Sequence, residues 1–201
     1  MKNVIRLMFL PVILIAVLLF YSCEKDKNSG LPTDGDGNEY DTVAIGTQVW
    51  LTENLKTTKY INGDPIPLIT DNTTWTTFDR GAYCWYNNDP DYKNTYGALY
   101  NWYAAKLSKF LCPVDYHVPI IDEWTTLATY LIDAPEAVKQ SFKALSIGWR
   151  VWDGSFQPNS SSWWVSAQEH SDKYAWRATQ DFSIIAMPKA TGYPVRCIKD
   201  N

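Results

Sequence analysis

Residues 111–124, LCPVDYHVPIIDEW, bring a thiol (Cys112), an imidazole (His117) and two carboxylates (Asp122, Glu123) into one short stretch. A thiol nucleophile would need a base within hydrogen-bond reach and a third group to orient it. A zinc site would need clustered Cys, His or carboxylate ligands. The spacing suits neither chemistry. Cys112 precedes Pro113 and enters the strand that holds His117, and extended backbone over 115–118 puts Asp115 and His117 on one side, Tyr116 and Val118 on the other. Asp122 and Glu123 are consecutive on a helix, about 100° apart, and cannot both face one ion. His117 and His170 stand far apart, with no CxxC or HExxH spacing. The stretch therefore reads as structural, with Glu123 at a helix start and Asp122 at the positive end of the helix dipole. No catalytic residue, metal or cofactor is assigned.

The elements that must position these groups can be read along the chain. DTVAI and QVWL flank Gly46-Thr47 as a hairpin, and NGDPIP (62–67) is turn chemistry. In TYGALYNWYAAKL, Tyr96, Leu99, Tyr100, Tyr103 and Leu107 recur with helical spacing, which predicts a helix. A second helix follows Pro119, with Trp124, Leu127, Ala128 and Leu131 on one face. A third runs through APEAVKQSFKAL, with Pro135 at its first turn. Short strands complete the chain: SWWVSA, KYAWRA, DFSIIAM and YPVRCIK, the last with Tyr193, Val195 and Cys197 on one face. Strands, then helices, then strands predict a single α+β domain with two or three helices, short antiparallel strands and chain ends that pair.

The N-terminus sets an address. Lys2 and Arg6 precede an apolar run from Leu7 to Phe20, followed by Tyr21-Ser22-Cys23. This reads as a secretory signal, and Ser22-Cys23 at its end is similar to a bacterial lipobox. The expectation is a signal over 1–22, Cys23 as the lipidated first residue, a flexible tether over 23–38 and a domain over 39–200. The whole chain carries a formal charge of −4, and loss of Lys2 and Arg6 leaves −6. That balance argues against nucleic acid or an anionic membrane surface as partner, since both select clustered Lys and Arg. DGDGN (34–38) invites a calcium-loop reading, but the EF-hand positions for Gly and Glu hold Glu39 and Ile45. Cys84, Cys112 and Cys197 lie in the domain, enough for one disulfide and one odd thiol in an oxidising envelope.

Four stretches together, IGTQVWLTENLKTTKYINGDPIP, YCWYNNDPDYKNTYGALYNWYAA, LCPVDYHVPIIDEWTTL and GYPVRCIKD, resemble the Fibrobacter succinogenes major paralogous domain. The resemblance implies a relative of the C-type-lectin and formylglycine-generating-enzyme folds, seen in His117-Val118-Pro119 ahead of Glu123-Trp124 and in the closing Val195-Arg196-Cys197. It implies secreted or surface lipoproteins of Bacteroidetes and Fibrobacter, and no established activity. The chain departs from that pattern at Ile120, where a Thr would be the helix N-cap and complete a capping box with Glu123. The change should cost the helix about 1 kcal/mol. Residues 145–165 also lack the Gly- and Asn-rich loop usual in the family.

Formylglycine-generating enzymes use a reactive cysteine pair near the C-terminus, where this chain has Cys197 alone, so no such oxidase activity is expected. Cys112 and Cys197 are the favoured disulfide, a pairing of either with Cys84 staying open. Gln157-Pro158-Asn159 resembles the sugar-binding tripeptide of calcium-dependent lectins, but no W-N-D follows and a carboxylate is missing. Most of the ten tryptophans should fill the core. Adjacent Trp163 and Trp164 on a strand point to opposite faces, one to the core and one outward. Trp163, Trp164, Trp152 and Phe156 are thus the ligand-binding candidates. The expected function is that of a non-enzymatic outer-membrane or surface lipoprotein that meets a glycan or a protein through aromatics in 149–164. The alternatives are an enzyme with a degenerate site on the same scaffold and a structural domain of a surface assembly.

Overall fold

Thr42–Ile45 (β1) and Gln48–Leu51 (β2) form the expected antiparallel hairpin, turning through Gly46 at φ 60°. The computed structural model describes residues 30–158, 163–179 and 181–201. Helix α1 (Asn72–Thr77) starts on the Asp71 carboxylate, which accepts from Thr74 N–H at 2.7 Å. Then come β3 (Tyr83–Cys84), two 3₁₀ turns (Tyr86–Asn88 and Pro90–Tyr92), α2 (Lys93–Tyr96) and β4 (Leu99–Tyr100). Two one-turn helices, α3 (Trp102–Ala105) and α4 (Ser108–Leu111), lead to β5 (Tyr116–His117). The longest helix, α5 (Ile121–Ile132), and the short α6 (Glu136–Ser141) complete the middle of the chain. Six strands follow: β6 (Trp149–Arg150), β7 (Phe156–Gln157), β8 (Trp163–Glu169), β9 (Tyr174–Thr179), β10 (Ile184–Pro188) and β11 (Ile198–Lys199).

These elements make a mixed α+β fold with few helices and small antiparallel sheets. One sheet has the order β1-β2-β11-β5, so the C-terminal strand lies between the N-terminal hairpin and the strand carrying His117. A second has the order β10-β9-β8, and β3-β4 and β6-β7 are separate two-stranded pairs. Of YPVRCIK, Ile198 and Lys199 form β11, while Tyr193 makes an isolated antiparallel bridge with Tyr100. Tyr193, Val195 and Cys197 are nevertheless buried together in one core, as alternation requires.

The helix predicted over 95–107 does not form. Gly97, at φ 79° and ψ −168°, ends α2. Tyr100 and Leu99 then pair with Tyr83 and Cys84, and Asn101 caps α3 by accepting from Ala104 N–H at 3.1 Å. A run buried on all sides shows the same apolar spacing whether it is helix or broken backbone, so periodicity misled here. The tether also needs correcting. Residues 31–38 belong to the fold: Thr33 bridges Glu39, and Asp34 is buried with its carboxylate accepting from Asp36 N–H, Asn38 N–H, the Asn38 amide and the Tyr40 hydroxyl. These donors take up the lone pairs of the Asp34 carboxylate within the loop itself. The signal segment, Cys23 and residues 24–29 lie outside the described residues.

The first core gathers Tyr40, Leu51, Leu55, Trp102, Val118 and Val195. The second is aromatic: Trp124 stacks on Trp164 at 5.5 Å and meets Trp50 at 4.9 Å, while Phe142 packs edge-on against Trp50 and Trp164. Helix α5 supplies Trp124, Leu127 and Leu131 to it from one face, at the spacing the sequence showed. Arg196 lies fully buried between the cores. It donates to Asn54 Oδ1 and to the carbonyls of Leu51, Phe142 and Lys143. Burial among these neutral acceptors lowers its pKa to about 9.

Candidate functional site

Two places hold the side chains that could act: the corner 111–124 and the β6–β7 hairpin. In the corner, the thiol is spent. Cys112 and Cys197 form a disulfide that ties α4 to the C-terminal segment across 85 residues of chain. Cys84, the free cysteine among the described residues, is buried beside Arg150 in a third small core with Trp75, Ala82 and Leu99. Burial pushes its pKa up to about 12, so it is a poor nucleophile at neutral pH.

His117 is held at both ring nitrogens. Nδ1 lies 2.6 Å from an Asp200 oxygen, and Nε2 lies 2.8 Å from a Glu123 oxygen. Lys109 Nζ, 3.0 Å away, pairs with the other Asp200 oxygen. The bond to Glu123, with help from Asp200, raises the His117 pKa above its ordinary value despite partial burial. The Asp200 pKa is lowered, first by Lys109 and then by His117. A protonated imidazole donating to two carboxylates is an ion-pair clasp. It fixes β5 to the start of α5 and to the last turn of chain, where Asp200 N–H also donates to Asp115 O at 2.7 Å. Asp200, more than eighty residues from His117, was not legible as its partner in the sequence.

Glu123 keeps half of the capping box by accepting from Ile120 N–H at 2.9 Å. Ile120 has no acceptor to return, and the next donor, Ile121 N–H, is met by Gln168 Oε1 at 3.3 Å, from β8. A long-range amide thus supplies part of what the lost Thr would give. Asp122 is exposed at the helix start, apart from the His117 clasp. Among the described residues, no three His, Cys, Asp or Glu side chains are grouped to hold a metal ion.

The aromatic candidates separate. Trp164 is fully buried, its indole N–H donating to Asn54 Oδ1 at 2.9 Å, and is no ligand contact. It is the inward member of its pair; the Trp163 side chain, like Asn159, lies outside the described residues. Phe156 is half-buried and takes Arg150 against its ring, 5.1 Å from centroid, so it props the hairpin rather than offering a free face. Among the candidates whose side chains are described, Trp152 is the openly exposed one, at 50%. It sits in the turn between β6 and β7, closed by Gly154 N–H donating to Val151 O and by Val151 N–H donating to Ser155 O.

The cause of that exposure lies beneath the turn. Arg150 is fully buried; its Nε donates to Gly154 O, and its two Nη atoms reach Ile69 O, Thr70 O and Asn72 Oδ1. Its guanidinium also stacks on Trp75 at 4.4 Å. One planar cation therefore rivets the turn to the segment before α1, and Trp152 is presented on a fixed backbone. Next to Phe156 runs a row the sequence reading missed: Tyr86 meets Phe156 at 5.7 Å and Tyr92 at 5.3 Å, and Tyr92 meets Tyr96 at 5.7 Å. All three tyrosines are half-buried. Asn87 and Asn88 beside them adopt left-handed backbone at φ 53° and 57°, which Asn tolerates better than most residues. The aromatic density of WYNNDPDYKNTY was the available signal. A further recess of about 760 Å³ opens between α5 and α6 over Leu131, Phe142 and Phe182, with Glu53, Glu136 and Lys139 at its rim.

Residues 43–147, just over half of the chain, match the model of the Fibrobacter succinogenes major domain. The matched span includes the hairpin β1–β2, the aromatic row and the corner 111–124, and stops short of Arg150 and Trp152. No curated protein and no solved structure matches the chain. With its N-terminal hairpin, its tyrosine row and its His117–Glu123 corner all inside the matched span, the chain belongs to the Fibrobacter succinogenes major domain family.

Proposed function

We propose that the protein is a non-enzymatic lipoprotein of the outer membrane, anchored through Cys23, whose C-type-lectin-like domain binds a glycan through Trp152. The observation that carries this reading is the exposed indole of Trp152 on a turn fixed by buried Arg150. A flat apolar face matches the C–H face of a pyranose, and a fixed backbone loses little entropy when a ligand settles on it. The tyrosine row Tyr86–Tyr92–Tyr96 would extend the surface along an oligosaccharide. The lectin-like reading of the fold is supported by the sheet that joins both ends of the domain, β1-β2-β11-β5, and by the disulfide to its last segment. The non-enzymatic reading is supported by the internal use of Cys112, Cys84 and His117.

Glycan-array binding by the processed chain tests the proposal. Binding should persist in EDTA and fall at least tenfold in Trp152→Ala, a loss of about 1.4 kcal/mol. Array binding that Trp152→Ala leaves unchanged, or capture of a protein in place of any glycan, would overturn it. Turnover of an envelope substrate that disappears in His117→Ala would favour an enzyme instead.

A further inference from the structure

The chain enters the fold at a defined edge. Gly35 lies so close to the segment 59–60 that a Cβ there would stand 2.5 Å from Tyr60 O and 2.7 Å from Lys59 O. The Asp36 carboxylate accepts from Thr58 N–H at 2.6 Å and from its hydroxyl at 2.8 Å. One residue beyond Tyr60, Ile61 N–H donates to Phe110 O at 2.7 Å. The entry segment, the 58–61 strip and α4 therefore follow one another across a single edge of the domain.

That edge is unusually apolar. Phe110 is 53% exposed and Val114 66%, with Leu107 at 40%. Leu107 and Phe110 are three apart at a helical turn and share its outer side. Exposed apolar residues are normal when scattered, and informative when they gather with an aromatic among them. Lys106 and Lys109 flank the group, both exposed. Their stems can lie along an apolar layer while the ammonium groups stay in water.

We propose that this edge, formed by Leu107, Phe110 and Val114, rests on the phospholipid bilayer. The inference builds on the reading above that Cys23 carries the lipid. Six residues, 24–29, separate Cys23 from Gly30. Even fully extended, that span reaches about 25 Å. A compact domain of this length is about 40 Å across. The tether is thus shorter than the domain is wide, and the edge where the chain enters is held against the membrane. Apolar side chains there can settle into the headgroup boundary, as amphipathic surface segments do. Asp115 and Asp200 stand near the lysines, with Asp200 paired to Lys109. The contact is therefore driven by apolar burial and needs no anionic lipid, in keeping with the acidic charge of the chain.

Hydroxyl-radical footprinting of the processed chain on vesicles tests this. The chain is tethered through Cys23 by its own acyl groups or, in the unacylated protein, by a maleimide lipid, on phosphatidylethanolamine–phosphatidylglycerol or phosphatidylcholine vesicles. Oxidation of Phe110, Leu107 and Val114 should fall severalfold on tethering, equally on both vesicles, while the exposed Ile132 is unchanged. Equal oxidation at Phe110 with and without vesicles would overturn the proposal. So would protection that appears without vesicles as concentration rises, which would mark a contact with a second copy. The mass of the Cys23 peptide reports acylation separately: an unmodified Cys23 sinks the native anchor, whereas the maleimide-tethered chain still decides whether this edge meets lipid.

Discussion

The corner 111–124 and the β6–β7 hairpin use polar groups in opposite ways. In the corner Cys112, His117 and Glu123 are turned inward on the protein, while Asp122 faces solvent. Cys112 is bonded to Cys197, and His117 spans Glu123 and Asp200. In the hairpin one buried cation, Arg150, takes up the polar groups below the turn and leaves Trp152 to solvent. A cluster of chemical groups in sequence is thus no sign of chemistry when each group already has a partner. A lone exposed aromatic on a fixed turn is the better sign of an interaction.

Breaking the corner should cost most. Replacing both Cys112 and Cys197 by Ala releases a loop of 85 residues and should lower stability by about 4 kcal/mol. At this chain length the melting temperature should drop by roughly 8–16 °C. A change under about 1 kcal/mol in chemical denaturation would mean that the corner does not depend on its staple. In the hairpin, Arg150→Leu strands the carbonyls of Ile69, Thr70 and Gly154 without their donor. The cost should be about 3 kcal/mol or more, with faster amide exchange concentrated in 151–155. Uniform loosening of the whole chain would show that Arg150 is a general core residue and not the support of the turn.

His117→Gln should destabilise by about 1–2 kcal/mol, since the clasp is partly open to solvent. The pH dependence separates a charged clasp from mere packing. The folded-state pKa of His117 is raised, so its contribution is fully present below the unfolded value near 6.5 and is lost as pH rises through the folded value. The gap between wild type and variant, measured by urea titration, should therefore be widest between about pH 5 and 6.5 and narrow in more alkaline buffer. Ile120→Ser restores the missing cap and should stabilise α5 by about 0.5–1 kcal/mol. No gain would mean that Gln168 already serves the helix start. The smallest effect belongs to Trp152→Ala, which should change stability by less than about 0.5 kcal/mol while it removes glycan binding.

Much of the scaffold was legible before any coordinates. The β1–β2 hairpin, α5 with its buried Trp124, Leu127 and Leu131, and the three consecutive strands β8 to β10 each rest on local signals, a turn pair or a fixed period. The broken stretch 95–107 was not legible, because the burial of every residue from 97 to 102 erases the difference between a helical and a non-helical apolar pattern. Nor was the order of residues 31–38, where a Gly- and Asp-rich composition suggested a tether. There the buried Asp34 carboxylate gathers donors from its own loop and from Tyr40.

The sequence by itself determined the family, the acidic charge and the kinds of residue available at each site, all of which depend on residue identity and local order. Only the tertiary structure decided what those residues do. It gave His117 its partner Asp200 from across the chain, turned Trp164 into the core and Trp152 out of it, and set Arg150 beneath the turn. Exposure and pairing come from which distant segments meet, and a single chain written in order does not carry that information.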